Sequence, residues 1–207
     1  MFKKAFKIFL TAFLFLSILG VLFFLFQASR YNRWKSNEFG EKDGIVCLDQ
    51  LYREKSFNEV EEEIAEKIKT FTISDNRTDF VVLTKEEILH VLSSNIEAVE
   101  SFTIEGLCIY PSEGLWSLYT KYRVGNIRLP WIVMDVVKDN RETAELYIND
   151  IRVGDVQLPR FVRNRVMTEF NRGISDAVIM LNENRFLGRV IENIELLEER
   201  VVFKGSI

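Results

Sequence analysis

Few residues in this chain of 207 could do chemistry. His90 is the single histidine, and it lies in TKEEILHVLSS, a short apolar helix pattern in which a structural role is typical. A hydrolase would need a serine and an acid around it, and no G-x-S-x-G sequence, Walker loop, dinucleotide glycine pattern or C-x-x-C pair occurs. The carboxylate pairs Glu86-Glu87 and Glu198-Glu199 fall at a helix start and a turn, where water solvates them. We therefore expect no enzyme activity, no cofactor and no catalytic or metal site.

The two cysteines, Cys47 and Cys108, stand 61 positions apart and match no metal-ligand spacing. Outside the cytoplasm they could form a disulfide. Cys108 lies in an apolar strand pattern between Leu107 and Ile109, which favours the alternative of two buried free thiols. The sequence leaves both alternatives open.

Apolar residues on predicted strands and on one long helix are the remaining candidates for a site. A lipid site needs mainly apolar walls with few polar groups, so these residues predict an apolar groove. Its predicted lining residues are Trp116, Leu118, Tyr122, Ile132, Met134, Val166, Phe170 and Ile174. Ordinary core packing explains each of them individually, and only the set as a whole favours a groove.

The elements that must position these residues have clear local signals. Ser56-x-x-Glu59 and Thr84-x-x-Glu87 are capping boxes, in which a hydroxyl and a carboxylate satisfy amides at a helix start. They predict a helix over about 56–70 and a short second helix. From about residue 98 apolar residues alternate, which predicts a run of four antiparallel strands. A helix over about 160–182 and a closing hairpin complete an α+β fold.

The stretch ELYINDIRVGDVQLP predicts a structural corner before the long helix. Ile148 and Ile151 cannot share a face in a regular strand, so a β-bulge is expected at Asn149-Asp150. Gly154 permits a sharp backbone, and Pro159 ends the strand so that the helix folds back beneath the sheet. Because the helix is apolar on more than one side, we expect a curved antiparallel sheet wrapped around it.

Residues 8–26 form an uninterrupted run of 19 uncharged positions. At about 1.5 Å per residue this run approaches the roughly 30 Å hydrocarbon thickness of a membrane. A cleaved signal peptide is the alternative, but its apolar core is usually about 7–15 residues long. We expect a transmembrane anchor over 1–27, a juxtamembrane tether over 28–44 and an α+β domain over 45–207. Lys3, Lys4 and Lys7 favour a cytoplasmic amino terminus and an extracytoplasmic domain.

The formal net charge of −4 is divided unevenly along the chain. Residues 1–27 hold three lysines and no acid, so the rest carries a net charge of −7. An acidic domain argues against a nucleic acid as its partner.

Three segments, GNIRLPWIVMDVV, ELYINDIRVGDVQLP and the long helix, together resemble the YpmS-like family of small membrane-anchored bacterial envelope proteins. Residues 151–159 match that family's corner, TKEEILHVL is similar to its earlier helix, and the likeness covers about residues 80–182. The chain is similar, more loosely, to tubular lipid-binding (TULIP-like) proteins, in which a curved sheet folds around a helix and leaves a groove for acyl chains. The matching residues are structural, so the resemblance implies a fold and carries over no ligand contact.

The anchor, the apolar strands and the resemblance predict a single-pass cell-envelope protein that binds a membrane lipid or an isoprenoid-type chain. The alternative is a non-catalytic scaffold subunit of an envelope assembly, which contacts other membrane proteins and holds no small ligand. The sequence leaves the oligomeric state open.

Overall fold

The computed structural model describes residues 2–95, 102–138, 142–183 and 188–207. The chain divides into two compact units, Met1–Lys42 and Asp43–Ile207. Helix α1 (Phe2–Gly40) forms the first unit, so residues 28–40 of the expected tether continue the helix. The large apolar side chains between Phe15 and Phe26 are 46% to 71% exposed. Helix α1 is long and apolar enough to cross a membrane and is compatible with a single-pass membrane anchor or with a signal sequence.

The second unit contains four helices and ten strands among its described residues. Their bounds are β1 (Val46–Cys47), α2 (Leu48–Glu54), α3 (Phe57–Ile73), β2 (Thr78–Thr84), α4 (Lys85–Asn95), β3 (Phe102–Ser112), β4 (Leu115–Val124), β5 (Ile127–Arg128), β6 (Ile132–Val137), β7 (Tyr147–Val153), β8 (Val156–Gln157), α5 (Arg160–Glu183), β9 (Val190–Leu196) and β10 (Arg200–Ser206).

Two antiparallel sheets organise this unit. The large sheet has the order β1-β3-β4-β6-β7-β8, with β5 paired to β4, and the small sheet has the order β2-β10-β9. The main core contains residues from both sheets together with α2, α3 and α4. Its most buried members include Leu51, Val60, Phe71, Leu83, Leu89, Leu107, Ile109, Trp116, Ile194, Leu196 and Val201. The predicted α+β class with antiparallel strands is confirmed.

Both predicted capping boxes are present. The Ser56 amide donates to Glu59 Oε2 at 2.8 Å, and the Glu59 amide donates to Ser56 Oγ at 3.3 Å. The Ser56 amide first, and the Ser56 hydroxyl second, interact with the Glu59 carboxylate and hold the pKa of Glu59 below its ordinary value. At the second box the Thr84 amide donates to Glu87 Oε2 at 2.8 Å, and this buried carboxylate also lies 2.7 Å from Lys67 Nζ.

The predicted bulge and corner are both found at the end of β7. Asp135 pairs with Asp150 and Val136 with Ile148, so Asn149 is the extra residue in β7. Gly154 has a φ of 59° in the two-residue turn that joins β7 to β8. Only glycine adopts such a backbone readily. Helix α5 then begins directly after Pro159.

Helix α5 packs mainly against β7 and β9. Its Val166, Met167 and Ile174 join a second apolar cluster around Met134, Ile148 and Ile151. Elsewhere on the helix, Phe161 is 78% exposed and Ile179 is 53% exposed. The sheet therefore covers one side of α5 among the described residues, and the expected wrapping around the helix is not confirmed.

A buried arginine joins the end of α3 to the small sheet. Arg189 is 1% exposed, and its guanidinium lies 5.1 Å from the centre of the Phe71 ring. It donates to Phe71 O at 2.9 Å, Ser74 O at 2.5 Å and Gly205 O at 3.5 Å. Two of these carbonyls lie at the carboxyl end of α3, where a cation complements the helix dipole.

Candidate functional site

His90 is buried within the helical part of the second unit. Its residue is 3% exposed, its Nδ1 lies 3.0 Å from the Tyr52 hydroxyl, and its ring centroid lies 4.4 Å from that of Phe57. These contacts fix the imidazole within the fold, as expected of a structural histidine. No group of three or more His, Cys, Asp or Glu side chains that could hold a metal is found in the part of the chain that the structure describes.

Cys47 and Cys108 form a disulfide between β1 and β3, where they are directly paired residues. The preference for two free thiols, based on the apolar residues around Cys108, is therefore wrong. The pattern showed that Cys108 would be buried, but the partner strand comes from a short segment that has no strand signal of its own. Disulfides persist in oxidising compartments.

An apolar cavity of about 160 Å³ lies between the two sheets. The large sheet supplies one wall, the small sheet supplies the opposite wall, and α4 and the segment before β7 contribute the rest. The ten described lining residues are all apolar: Ile88, Leu92, Ile109, Trp116, Leu118, Val136, Leu146, Leu196, Val201 and Phe203. The alternation of β4 explains the central pair, since Trp116 and Leu118 are two positions apart and face the same way.

The Trp116 indole shows how the cavity wall stays apolar. Its Nε1 donates to the carbonyl oxygen of Leu197 at 2.9 Å, so the one polar atom of the ring has a partner in the backbone. A buried indole that is satisfied in this way leaves its hydrocarbon surface to face the cavity. The wall therefore offers no hydrogen bond or charge to a guest, and it suits a purely apolar one.

A second cavity of about 140 Å³ lies beside α5. It is lined by Ala144, Glu145 and Leu146 and by Ile174, Ser175, Val178 and Ile179 of the helix. Leu146 lines both cavities and is therefore part of the wall between them.

The structure distributes the eight predicted groove residues over several places. Trp116 and Leu118 line the cavity between the sheets, and Ile174 lines the second cavity. Ile132, Met134 and Val166 pack with Leu118 and Ile174 in the cluster beneath α5.

Phe170 and Tyr122 lie outside both of these cavities. Phe170 is 47% exposed, although it stands between Val166 and Ile174 on the helix. Tyr122 is partly buried on β4, opposite Ile104. The eight residues therefore do not form one continuous groove.

Sequence reasoning missed most of the cavity wall. Ile88 and Leu92 were recognisable as the apolar face of a short helix, and the β9 and β10 residues as buried positions of alternating strands. A sequence pattern marks such residues as buried. It does not show that they leave space between them.

A charged network occupies the opposite face of the large sheet. The Arg152 guanidinium donates to both oxygens of Asp135, and Asp135 also accepts from Ser117 Oγ at 2.7 Å. Burial opposes the charge of Arg152, but the hydrogen bond and the charge of Asp135 outweigh it and raise the arginine's pKa. Asp150 lies 3.6 Å from Arg163 of α5. The network thus ties β4, β6, β7 and α5 together, which is a structural role.

No protein-family model, curated protein or solved structure matches this chain. The fold and the two cavities define an α+β unit that follows an apolar helix. The resemblance to YpmS-like and tubular lipid-binding proteins stays a prediction.

Proposed function

We propose that this protein is a membrane-anchored, non-catalytic module that holds the end of a lipid or isoprenoid-type chain in the cavity between its sheets. The observation that carries the proposal is the exclusively apolar lining of that cavity among the described residues. Such a lining recognises hydrocarbon and rejects polar groups, which would lose their hydrogen bonds on entry.

The size of the cavity limits what it holds. An engineered apolar cavity of about 150 Å³ stays dry and binds benzene, whereas drug-sized ligands occupy about 300–1,000 Å³. A cavity of about 160 Å³ therefore fits the terminal segment of a chain rather than a whole lipid. The rest of the chain would lie outside it.

Two features support an extracytoplasmic location for the second unit. The disulfide is of the kind found in oxidising compartments, and the three lysines before the apolar run favour a cytoplasmic amino terminus. A helix held in the cell membrane would keep the unit close to the surface where hydrocarbon chains are concentrated. The partner in this proposal is a membrane lipid.

The proposal is tested by extracting bound lipid from residues 43–207, purified after secretion and checked for folding by circular dichroism. We expect mass spectrometry of the organic extract to find a chain-bearing molecule at near-stoichiometric amount. Val136→Phe places a larger side chain in the cavity and should lower the bound amount at least fivefold. Phe170→Trp, at a half-exposed position outside the cavity, is the matched control and should leave the amount unchanged.

Melting temperatures separate an occupied cavity from a tightly packed core. Overpacking a well-packed core costs about 1–3 kcal/mol, whereas a larger side chain that fills empty space costs less than this. Val136→Phe protein that melts near the wild-type temperature but carries no lipid would support the proposal. Wild-type protein that carries no lipid, or a variant that carries the wild-type amount, would contradict it.

A further inference from the structure

Strand β2 is an edge strand with an outward-facing side. Among the described strands it pairs with β10 and with no other. The Lys85 amide donates to Glu199 O and the Ile207 amide donates to Arg77 O, each at 3.1 Å, at the two ends of this pairing. Because antiparallel strands alternate the direction of their backbone groups, Phe80 and Val82 direct their N–H and C=O groups away from β10.

The outward amides of β2 differ in what they contact. The Phe80 amide donates to Asp79 Oδ1 at 2.8 Å, and the Thr84 amide donates to Glu87 Oε2 at 2.8 Å. Within the described chain the structure shows no partner for the outward amide of Val82. An edge strand with such groups is a template for a further strand.

A groove of about 490 Å³ runs beside this edge. One wall is the stretch of β2 from Asp79 to Val82, and the other is the face of α3 that includes Glu66, Thr70 and Phe71. The volume falls within the roughly 300–1,000 Å³ of known ligand sites. At about 3.3 Å per residue, these four residues of β2 match a short extended segment.

The charged residues around the groove determine which net charge an occupant should carry. Glu63, Glu66 and Asp79 line it, together with a single cation, Lys67. Lys67 Nζ lies 2.7 Å from the buried carboxylate of Glu87, which neutralises it. Glu63 is likewise paired with Lys55 Nζ at 2.7 Å. The carboxylates of Glu66 and Asp79 then give the groove its net negative charge. The groove is therefore acidic, and a positively charged segment complements it.

We propose that the groove between β2 and α3 binds an extended, lysine- or arginine-rich segment of a partner protein, which adds to β2 as a fourth strand of the small sheet. Backbone hydrogen bonds at Val82 provide the pairing, and alternate side chains of the segment meet Phe80, which is 55% exposed, and the α3 carboxylates. None of the described residues that line the groove also lines the cavity between the sheets. This inference is therefore independent of lipid binding.

The test uses the full chain in nanodiscs of neutral phosphatidylcholine, with empty nanodiscs as a blank. The probe is a fluorescent eight-residue peptide of alternating lysine and valine, and fluorescence anisotropy measures its binding. We expect saturable binding that weakens as salt rises and that is absent for a glutamate-valine peptide of the same length. Equal binding of the two peptides, or none of the basic one, would overturn the proposal.

A matched pair of charge reversals locates the binding site. Glu66→Lys should weaken binding of the basic peptide at least tenfold, whereas Glu62→Lys, one turn away on α3 and outside the groove lining, should change it less than twofold. Val82→Pro removes an outward N–H that the β10 pairing does not use, and it should also weaken binding at least tenfold at an unchanged melting temperature. An equal effect of the two lysine substitutions would show general charge attraction and refute the site. Competition by a second copy of the chain through the same edge would identify self-association and refute the partner.

Discussion

The buried guanidinium of Arg189 gives the sharpest test of how the second unit holds together. Arg189→Met keeps much of the aliphatic volume but removes the donors to Phe71 O, Ser74 O and Gly205 O. The carbonyls at the end of α3 then lose a charged partner whose own side chain is buried. The cation over the Phe71 ring is lost as well.

The size of the effect follows from these contacts. A hydrogen bond from a charged group contributes about 1.5–3 kcal/mol, and the longest of the three, at 3.5 Å, adds little. We therefore expect Arg189→Met to lower the free energy of unfolding by about 3–5 kcal/mol, against a typical total of about 5–15 kcal/mol. For a unit of this length that corresponds to a melting temperature lower by about 6–20 °C.

The assay is urea unfolding of residues 43–207, followed by circular dichroism, with two comparison variants. Arg189→Lys keeps the charge but has no planar fork with which to reach separate carbonyls, so we expect an intermediate loss. Arg200→Met, on an exposed residue of β10, should change the free energy of unfolding by less than about 0.5 kcal/mol. Arg189→Met protein as stable as the wild type would refute the view that this arginine anchors α3 to the small sheet.

Three shorter predictions follow from single features. Replacing Cys47 and Cys108 by serine opens a loop of 61 residues. From the loop entropy alone, the free energy of unfolding should fall by about 4 kcal/mol. Chemical denaturation measures this difference, and an unchanged free energy of unfolding would contradict the prediction. Because the pKa of Glu59 is lowered in the folded protein, the stabilising effect of its carboxylate is complete above the unfolded pKa of about 4.3. The effect is lost as pH falls through the folded pKa. In urea unfolding at a series of acidic pH values, Glu59→Gln should therefore show a smaller fall in the free energy of unfolding than the wild type. A Cβ at Gly205 would lie 2.7 Å from Phe71 Cζ, so Gly205→Ala should cost about 1–3 kcal/mol, read from the melting temperature; an unchanged value would show that the ring moves aside easily.

Features determined by neighbouring residues were predictable from the sequence. Both capping boxes depend on two side chains three positions apart, and the bulge at Asn149 follows from the broken alternation of Ile148 and Ile151. The class of fold follows from the same patterns. In each case the physical cause lies within a few residues of its effect.

Features that depend on pairing between distant segments were not predictable. Strand β2 pairs with β10, more than a hundred residues later in the chain, and this pairing creates both a separate small sheet and its free edge. The apolar positions of α5 suggested cover on several sides, yet Phe161 and Ile179 are exposed. An amphipathic pattern reports which residues favour burial, but the number of neighbouring layers is set by the whole fold.

The separation of the cavity from the edge groove makes the two proposed activities independently measurable. The cavity depends on the inner faces of the sheets and on α4, whereas the groove depends on the outer edge of β2 and on α3. Substitutions without shared contacts usually have additive effects. A protein carrying both Val136→Phe and Glu66→Lys should therefore lose lipid and peptide binding to the same extents as the single variants. If either single change abolished both activities at an unchanged melting temperature, the two sites would be coupled through β10, and the assignment of separate roles would fail.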